Sequence, residues 1–449
     1  MTTRSRAFAA FALTVVLACA AGAARAEWMQ PDPSLREAQL ELRDAARDTV
    51  DHPNDPAKLA TLGAAQLKLA RFADAERSFL RALALRPDDD AARVGLGTLC
   101  ALRGREAQAE SLLALAGDAE PAVRARFDLA LRREDWKAAL ALAPKLEDEA
   151  GRVPQLERMA ASEPVEVEFA GGTGVVNFER AWPVPIVKAK LNGTPVLMAV
   201  DLGCTEMFVD PSPARLCRVE MLEGERSVVW LGGRVSARNA RLNSVTLGNV
   251  TVRNLPGAIT SLRKYSLQVN PQGVQIAGVI GLPMLRRLGF VMDYHENRLE
   301  LSRETPAPGA GAIRVPFDVW GEGEMVVYGS VGGARKLAIQ VGTGLPEAGI
   351  GSAPEVFEEF GIRPGKLANA VRSLGAVLQG RPWARVTVPT LTFGSLVGDR
   401  VPGWSGVMDA TEFWRHGVRR DALLGPGFFR DRRVTVDWAK HELLFARRD

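Results

Sequence analysis

Residues 278–301 read GVIGLPMLRRLGFVMDYHENRLEL, and residues 422–445 read ALLGPGFFRDRRVTVDWAKHELLF. With Gly281 laid on Gly425, the two also match Arg286 to Arg430, Asp293 to Asp437 and Leu299 to Leu443. Upstream of each stand a hairpin pattern, an apolar strand and a glycine turn: LNGTPVLMAVDLGCT at 191–205 and VGGARKLAIQVGTG at 331–344. Setting Gly203 on Gly342 pairs Asp201 with Gln340 and Leu202 with Val341. Past Glu163 the chain is written in short runs of Val, Ile, Leu and Phe broken by Gly, Pro and Asn-Gly, the pattern of strands and tight turns. A unit of this kind present twice predicts two homologous β lobes, 164–304 and 305–449, joined through the Pro- and Gly-rich stretch 305–312.

The first third differs. A helical pattern runs from Ser34 to Val50, and between Pro56 and Val123 the residues Leu62, Gly63, Ala75, Ala82 and Pro87 recur at a 34-residue step as Leu96, Gly97, Ala109, Ala116 and Pro121. Phe79 is answered by Leu113, and a shortened third unit carries Phe127, Trp136, Ala139 and Leu142. The period resembles the tetratricopeptide repeat, although Leu59, Gln66 and Cys100 stand where that family usually has aromatic residues. Two functions fit such hairpins: a concave surface for a partner peptide, or a spacer packed on the next domain.

The 449 residues are 47% hydrophobic and 24% charged, which excludes disorder, collagen and a disulfide-dense mini-protein. The formal charge of +4 does not signal a nucleic-acid binder. Residues 1–26 hold Arg4, Arg6 and Arg25 and no acid, and without them basic and acidic residues nearly balance. That segment, a basic start, an apolar run over 7–24 and small residues around Arg25, has the layout of a secretory signal cut before Glu27. The expected location is periplasmic or secreted. Membrane attachment is expected only if the signal stays uncut or Cys19 is lipidated as in a lipoprotein. After cleavage Cys100, Cys204 and Cys217 remain; Cys204 and Cys217 form either one bridge or two free thiols, and no metal-ligand spacing exists among them.

The β region resembles one family. An apolar strand ending in Asp-x-Gly at Asp201, then Val279, Ile280 and Gly281 leading to a short helix and a hairpin with Asp293 and Tyr294, is similar to a lobe of an aspartic peptidase of the retropepsin and pepsin type. The resemblance covers nearly all of 164–449, and bacterial members with a helical-repeat domain in front are similar to the whole chain. It implies a multidomain α + β protein: a signal at 1–26, tetratricopeptide-like α-helical hairpins at 27–160, and a two-lobed all-β aspartic-peptidase-like domain with lobes at 164–304 and 305–449.

In that family each lobe supplies one Asp, the pair shares a proton over a water, and the hydroxyl after each Asp bonds across the interface. Asp201 and Gly203 match the motif; Leu202 replaces its hydroxyl residue. On the alignment above the second lobe is degenerate, with Gln340, Val341 and Gly342 in the three places. An amide exchanges no proton near neutral pH, so efficient hydrolysis is not expected. Asp293, Asp399, Asp421 and Asp437 read as solvated strand ends or turns rather than substitutes. Without a catalytic role, Asp201 reads as a turn carboxylate capping Gly203 and Cys204. Cys204 reads as core, since none of His52, His295, His416 and His441 forms a partner motif.

The stretch 228–235, VVWLGGRV, sits where the family places its flap, with Trp230 positioned to cover a ligand beside Gly232 and Gly233. No Gly-x-Ser-x-Gly elbow, phosphate loop or zinc helix is present, and no cofactor is implied. The expectation is an exported pseudoenzyme whose cleft binds an extended peptide or partner segment with little turnover. Two alternatives stand beside it, an active endopeptidase depending on Asp201 and a scaffold using only the helical repeats.

Overall fold

The computed structural model describes residues 33–273, 275–309, 311–365, 383–408, 410–414 and 416–446. The expected signal and Cys19 lie outside the described residues. Helices come first: α1 (Pro33–Asp51), α2 (Pro56–Lys68), α3 (Phe72–Leu85), α4 (Asp90–Leu102), α5 (Glu106–Leu115), α6 (Glu120–Arg133), α7 (Trp136–Leu142) and α8 (Val153–Ala160). The Asp55 and Asp89 carboxylates cap α2 and α4 by accepting the N–H groups of Ala57 and Ala92. A Cβ added at Gly63 would lie 2.6 Å from the Phe79 ring, and one at Gly97 2.7 Å from Leu113. The same small-against-large contact thus closes both helical hairpins, as the repeat pattern predicts. No helix among the described residues is long and apolar enough to cross a membrane.

The first lobe holds β1 (Glu166–Phe169), β2 (Gly174–Arg180), β3 (Ile186–Leu191), β4 (Thr194–Val200), β5 (Phe208–Val209), β6 (Glu220–Trp230), β7 (Gly233–Leu247), β8 (Val250–Ile259), β9 (Gly278–Ile280), β10 (Gly289–Asp293) and β11 (Arg298–Ser302). The second holds β12 (Ile313–Trp320), β13 (Glu324–Val331), β14 (Lys336–Val341), β15 (Ile350–Ser352), β16 (Ala384–Phe393), β17 (Leu396–Ser405), β18 (Ala422–Leu424), β19 (Arg433–Asp437) and β20 (Glu442–Ala446).

The duplication is visible in the ladders. The parallel pair β4–β9 is repeated as β14–β18, β5–β8 as β15–β17, and the antiparallel pair β5–β9 as β15–β18. Between the lobes β10 pairs antiparallel with β19, Phe290 opposite Val436 and Met292 opposite Val434. This joins β2, β11, β10, β19, β20 and β12 into one sheet with the lobe boundary at its centre.

The ladder register corrects one sequence assignment. Val200 lies opposite Ile280 and Val341 opposite Leu424, and the next backbone bonds are Asp201 N–H to Ile280 O and Gly342 N–H to Leu424 O. Gly342 therefore occupies the place of Asp201 in the second lobe. Gln340 sits two residues earlier, inside β14, where Ala199 sits in β4. The motif of the second lobe is Gly342-Thr343-Gly344, and Val341 is its last strand residue.

The helices are not a detached module. Phe72 meets the Trp320 and Tyr328 rings edge-on at 6.3 and 5.9 Å, and Arg103 pairs with Asp318 at 3.2 Å. Buried Gln155 donates to Ala240 O and Gly257 O of the first lobe, while Arg152 forms two 2.8 Å bonds to Glu322 of the second. Both lobes thus rest on one helical brace. Against this seam, desolvation pushes the Asp128 carboxyl of α6 up to about 6; the Glu322 charge adds to it, while His416, Arg124 and Arg132 oppose it. A carboxyl raised in the folded state stabilises only while protonated. Its charge thus opposes folding above about pH 6, and the penalty fades as the pH falls toward 4. Asp128→Asn is expected to raise stability at pH 7 by about 1–3 kcal/mol in urea unfolding, with the gain gone near pH 4.

Candidate active site between the lobes

Two turns meet where β4 and β14 end. Asp201 is 1% exposed. Its Oδ1 accepts three N–H groups at 2.9 Å, from Gly203 of its own turn and from Thr343 and Gly344 of the opposite turn. The Thr343 hydroxyl crosses the other way, donating to Val200 O at 2.8 Å and accepting Leu202 N–H at 3.1 Å. One hydroxyl cross-link between the lobes is therefore present, supplied by Thr343. The reciprocal one is missing because Leu202 has no hydroxyl, and the Thr343 N–H that would meet it turns to Asp201 instead.

Close approach of the turns requires glycine at two places. A Cβ at Gly203 would lie 2.9 Å from the Gly342 Cα, and one at Gly344 would lie 2.2 Å from Asp201 Oδ2. Gly342 is different: a Cβ there would find its nearest neighbours, Asp201 Oδ1 and Leu424 O, at 3.4 Å, ordinary contact. The backbone place for a second acid is open.

The flap is the hairpin β6–β7, longer than the predicted stretch 228–235. Trp230 pairs with Gly233, and both turn residues between them, Leu231 and Gly232, have positive φ (+52° and +74°), a type I′ turn. The flap folds down completely. The Trp230 indole N–H donates to Asp201 Oδ2 at 3.0 Å, and the ring packs on Phe208 and Tyr265 at 5.3 and 4.7 Å between centroids. At the tip, a Cβ on Gly232 would meet Val407 O of the second lobe at 2.6 Å, and Arg234 lies 3.5 Å from Glu412. The remaining cavity, bounded by Asp201, Gly203, Trp230, Leu231, Gln340 and Leu423, is about 20 Å³, room for one water molecule and not for a peptide.

Of the residues singled out in the sequence, Asp201, Gly203, Trp230, Gly232, Gln340 and Gly342 line this cavity, and Gly233 begins the returning flap strand. Gln340 serves as a strut. Its amide donates to Gly203 O at 3.0 Å and its carbonyl accepts from buried Arg420, which also pairs with buried Glu324 and Glu412. Three of the four remaining Asp side chains are not the solvated groups expected. Asp293, Asp421 and Asp437 are buried, Asp293 accepting the His295 and Glu296 N–H groups, Asp437 that of Lys440 and Asp421 that of Ala338; Asp399 is exposed.

The predicted cap holds for Gly203, while the Cys204 N–H bonds the Asp201 main-chain oxygen. All three described cysteines are free and buried. Burial pushes the Cys204 thiol well up, the Asp201 charge adds to this, and its Sγ lies against Glu206 O at 3.3 Å, so it is no nucleophile. Sequence reading missed Thr343, Gly344 and Tyr265, whose hydroxyl donates to Gly344 O at 3.1 Å. The Thr-Gly pair at 343–344 was the available signal for the first two.

Thr343→Val keeps the shape but strands Leu202 N–H and Val200 O in a dry interface. The expected cost is about 2–4 kcal/mol in denaturant unfolding, with Thr343→Ser close to the parent; equal stability of the valine variant would refute the cross-link.

Residues 187–284, most of the first lobe, match the family described as Aspartyl protease. No curated protein matches the chain. Among solved structures it is similar to an aspartic proteinase from Irpex lacteus, at 13% identity over 61% of this chain and 97% of that one, with a TM-score of 0.39. It is also similar to the structure titled edgp, at 12% identity over 64% and 96% of the two chains, with a TM-score of 0.37. The family match supports an aspartic-peptidase-like domain behind a helical segment.

Proposed function

We propose that this chain is an exported, proteolytically silent aspartic-peptidase-like protein whose interlobe cleft receives an extended peptide or partner segment without cutting it. The observation carrying this reading is Gly342 in the place of the second acid. Peptide hydrolysis by such a site needs one carboxylate to take a proton from water while another protonates the carbonyl. Here one carboxylate has no partner with which to share a proton. Removing a general acid or base costs about a hundredfold to ten-thousandfold.

The retained parts are those of a binder. The flap hairpin is long and its strand edges offer main-chain pairing to an extended segment, the mode in which a peptide adds to a sheet. Entry requires the flap to lift, because the closed cavity is too small. The helical hairpins, read as tetratricopeptide-like, serve in this account mainly as the spacer packed on the next domain, since Phe72, Arg103 and Gln155 are all committed to the β domain.

Incubated with a mixed peptide library from acid to neutral pH, the parent chain and Asp201→Ala are both expected to leave it intact by mass spectrometry. Cleavage by the parent that disappears in Asp201→Ala would overturn the reading in favour of an endopeptidase. Gly342→Asp combined with Leu202→Thr and Trp230→Phe is expected to create slow cleavage that is fastest in acid. Export is read from the amino-terminal residue of protein recovered from the cell envelope or medium, expected to be Glu27.

A further inference from the structure

We infer that the cleft's ligand is cationic: an extended segment that brings a protonated amine or guanidinium to Asp201 in the place of the Trp230 indole. This rests on the peptide-binding reading above and specifies its substrate class.

The two oxygens of Asp201 are held differently. Oδ1 is filled by three backbone N–H groups fixed in the turns. Oδ2 accepts the Trp230 indole, the one donor of the four that rides on the flap. No Lys, Arg or His among the described residues pairs with Asp201, and the guanidinium of Arg420 is spent on Gln340, Glu324 and Glu412. A buried carboxylate is therefore balanced by dipoles alone. Carboxylates in such surroundings are normally paired with a cation.

Opening the flap removes the indole and leaves the anion at the floor of a cleft walled by Leu345, Leu423 and Leu424. Whatever enters must donate to Oδ2. A carbonyl or carboxylate is repelled there, and a neutral amide restores the hydrogen bond but not the charge balance. An ammonium or guanidinium does both, and charge-assisted bonds are about twice as strong as neutral ones. Phe208 and Tyr265, on which the indole packed, then offer aromatic walls beside the cation.

The test uses two extended apolar peptides identical except for one central residue, Lys or norleucine, titrated calorimetrically into the full chain and into Trp230→Phe. The Phe variant keeps an aromatic ring and drops the indole donor, so the flap opens more readily and both affinities rise. The Lys peptide is expected to bind at least about tenfold tighter than the norleucine peptide. Asp201→Asn in the Trp230→Phe background is expected to bring that ratio close to one. Equal binding of the two peptides by chains that keep Asp201 overturns the cationic inference and leaves the peptide-binding reading standing. Binding of neither peptide to either chain overturns both. Because the ratio is first read in chains with Asp201 intact, a folding defect in the Asn variant does not decide it.

Discussion

The contact on which the site depends is Asp201 Oδ1 with its three N–H donors, because two of them belong to the other lobe. By the pattern of the first turn, an acid at 342 would accept Gly344 N–H and a hydroxyl at 202 would accept Thr343 N–H. With Gly342 and Leu202 in those places both would be buried donors without an acceptor, each costing about 1–3 kcal/mol. Asp201 accepts both instead. This gives Asp201 a structural role apart from any chemistry, and it explains how the turns stay together with one hydroxyl cross-link instead of two. The β10–β19 ladder and the Thr343 hydroxyl bonds are further ties between the lobes.

The helical brace constrains the flap from behind. Gly151 and Gly224 meet backbone to backbone: a Cβ on the first would lie 2.1 Å from Glu225 O, and one on the second 2.2 Å from Gly151 O. Asn239 on the returning strand donates to both Gly151 O and Glu223 O, and buried Arg226 pairs with Glu206. The base of the hairpin is therefore locked to the helices and to the loop after Asp201. Its tip is held by weaker means, one indole hydrogen bond, a van der Waals seat near Val407 and a long ion pair to Glu412. Bending confined to the outer half of β6–β7 would uncover Asp201 without disturbing the brace.

Much of this was legible in the sequence. The match of 278–301 to 422–445 forecast the paired ladders because glycines and buried apolar strands at fixed positions leave few other registers. Asn192-Gly193 marked a two-residue hairpin, and the Gly63 and Gly97 recurrence marked two helical contacts that the structure closes with Phe79 and Leu113. The second turn was misread by two residues. An alignment placed on Gly203 and Gly342 keeps glycine on glycine, yet β14 has its own register against β18, set by hydrogen bonds that no single residue type announces. The path from turn to next strand is also longer in the second lobe: Phe208 and Gly351 hold equivalent places opposite Val279 and Leu423. Thr343-Gly344 was the better anchor, because its hydroxyl and its missing Cβ are both required by the interface. The burial of Asp293 and Asp437 escaped for a related reason, since a carboxylate that caps neighbouring N–H groups looks in sequence like one that faces water; Asp421 escaped because two of its partners, Ala338 and Arg335, are distant in the chain.

Gly342 and Gly344 show how narrow the difference is between this site and a hydrolytic one. At Gly344 any side chain would overlap Asp201, so glycine is imposed by packing. At Gly342 a Cβ fits at ordinary contact distance, and its place relative to the ladder is that of Asp201. Packing therefore does not exclude an acid at this place. The turn, the strand before it and the threonine after it have a form that could carry a carboxylate, while Gly344 N–H, which would hold that carboxylate, is engaged by Asp201. The two turns therefore hold one carboxylate through donors from both lobes, at the floor of an apolar cleft. Under the proposed binding function, such a group selects a ligand by charge and donor geometry.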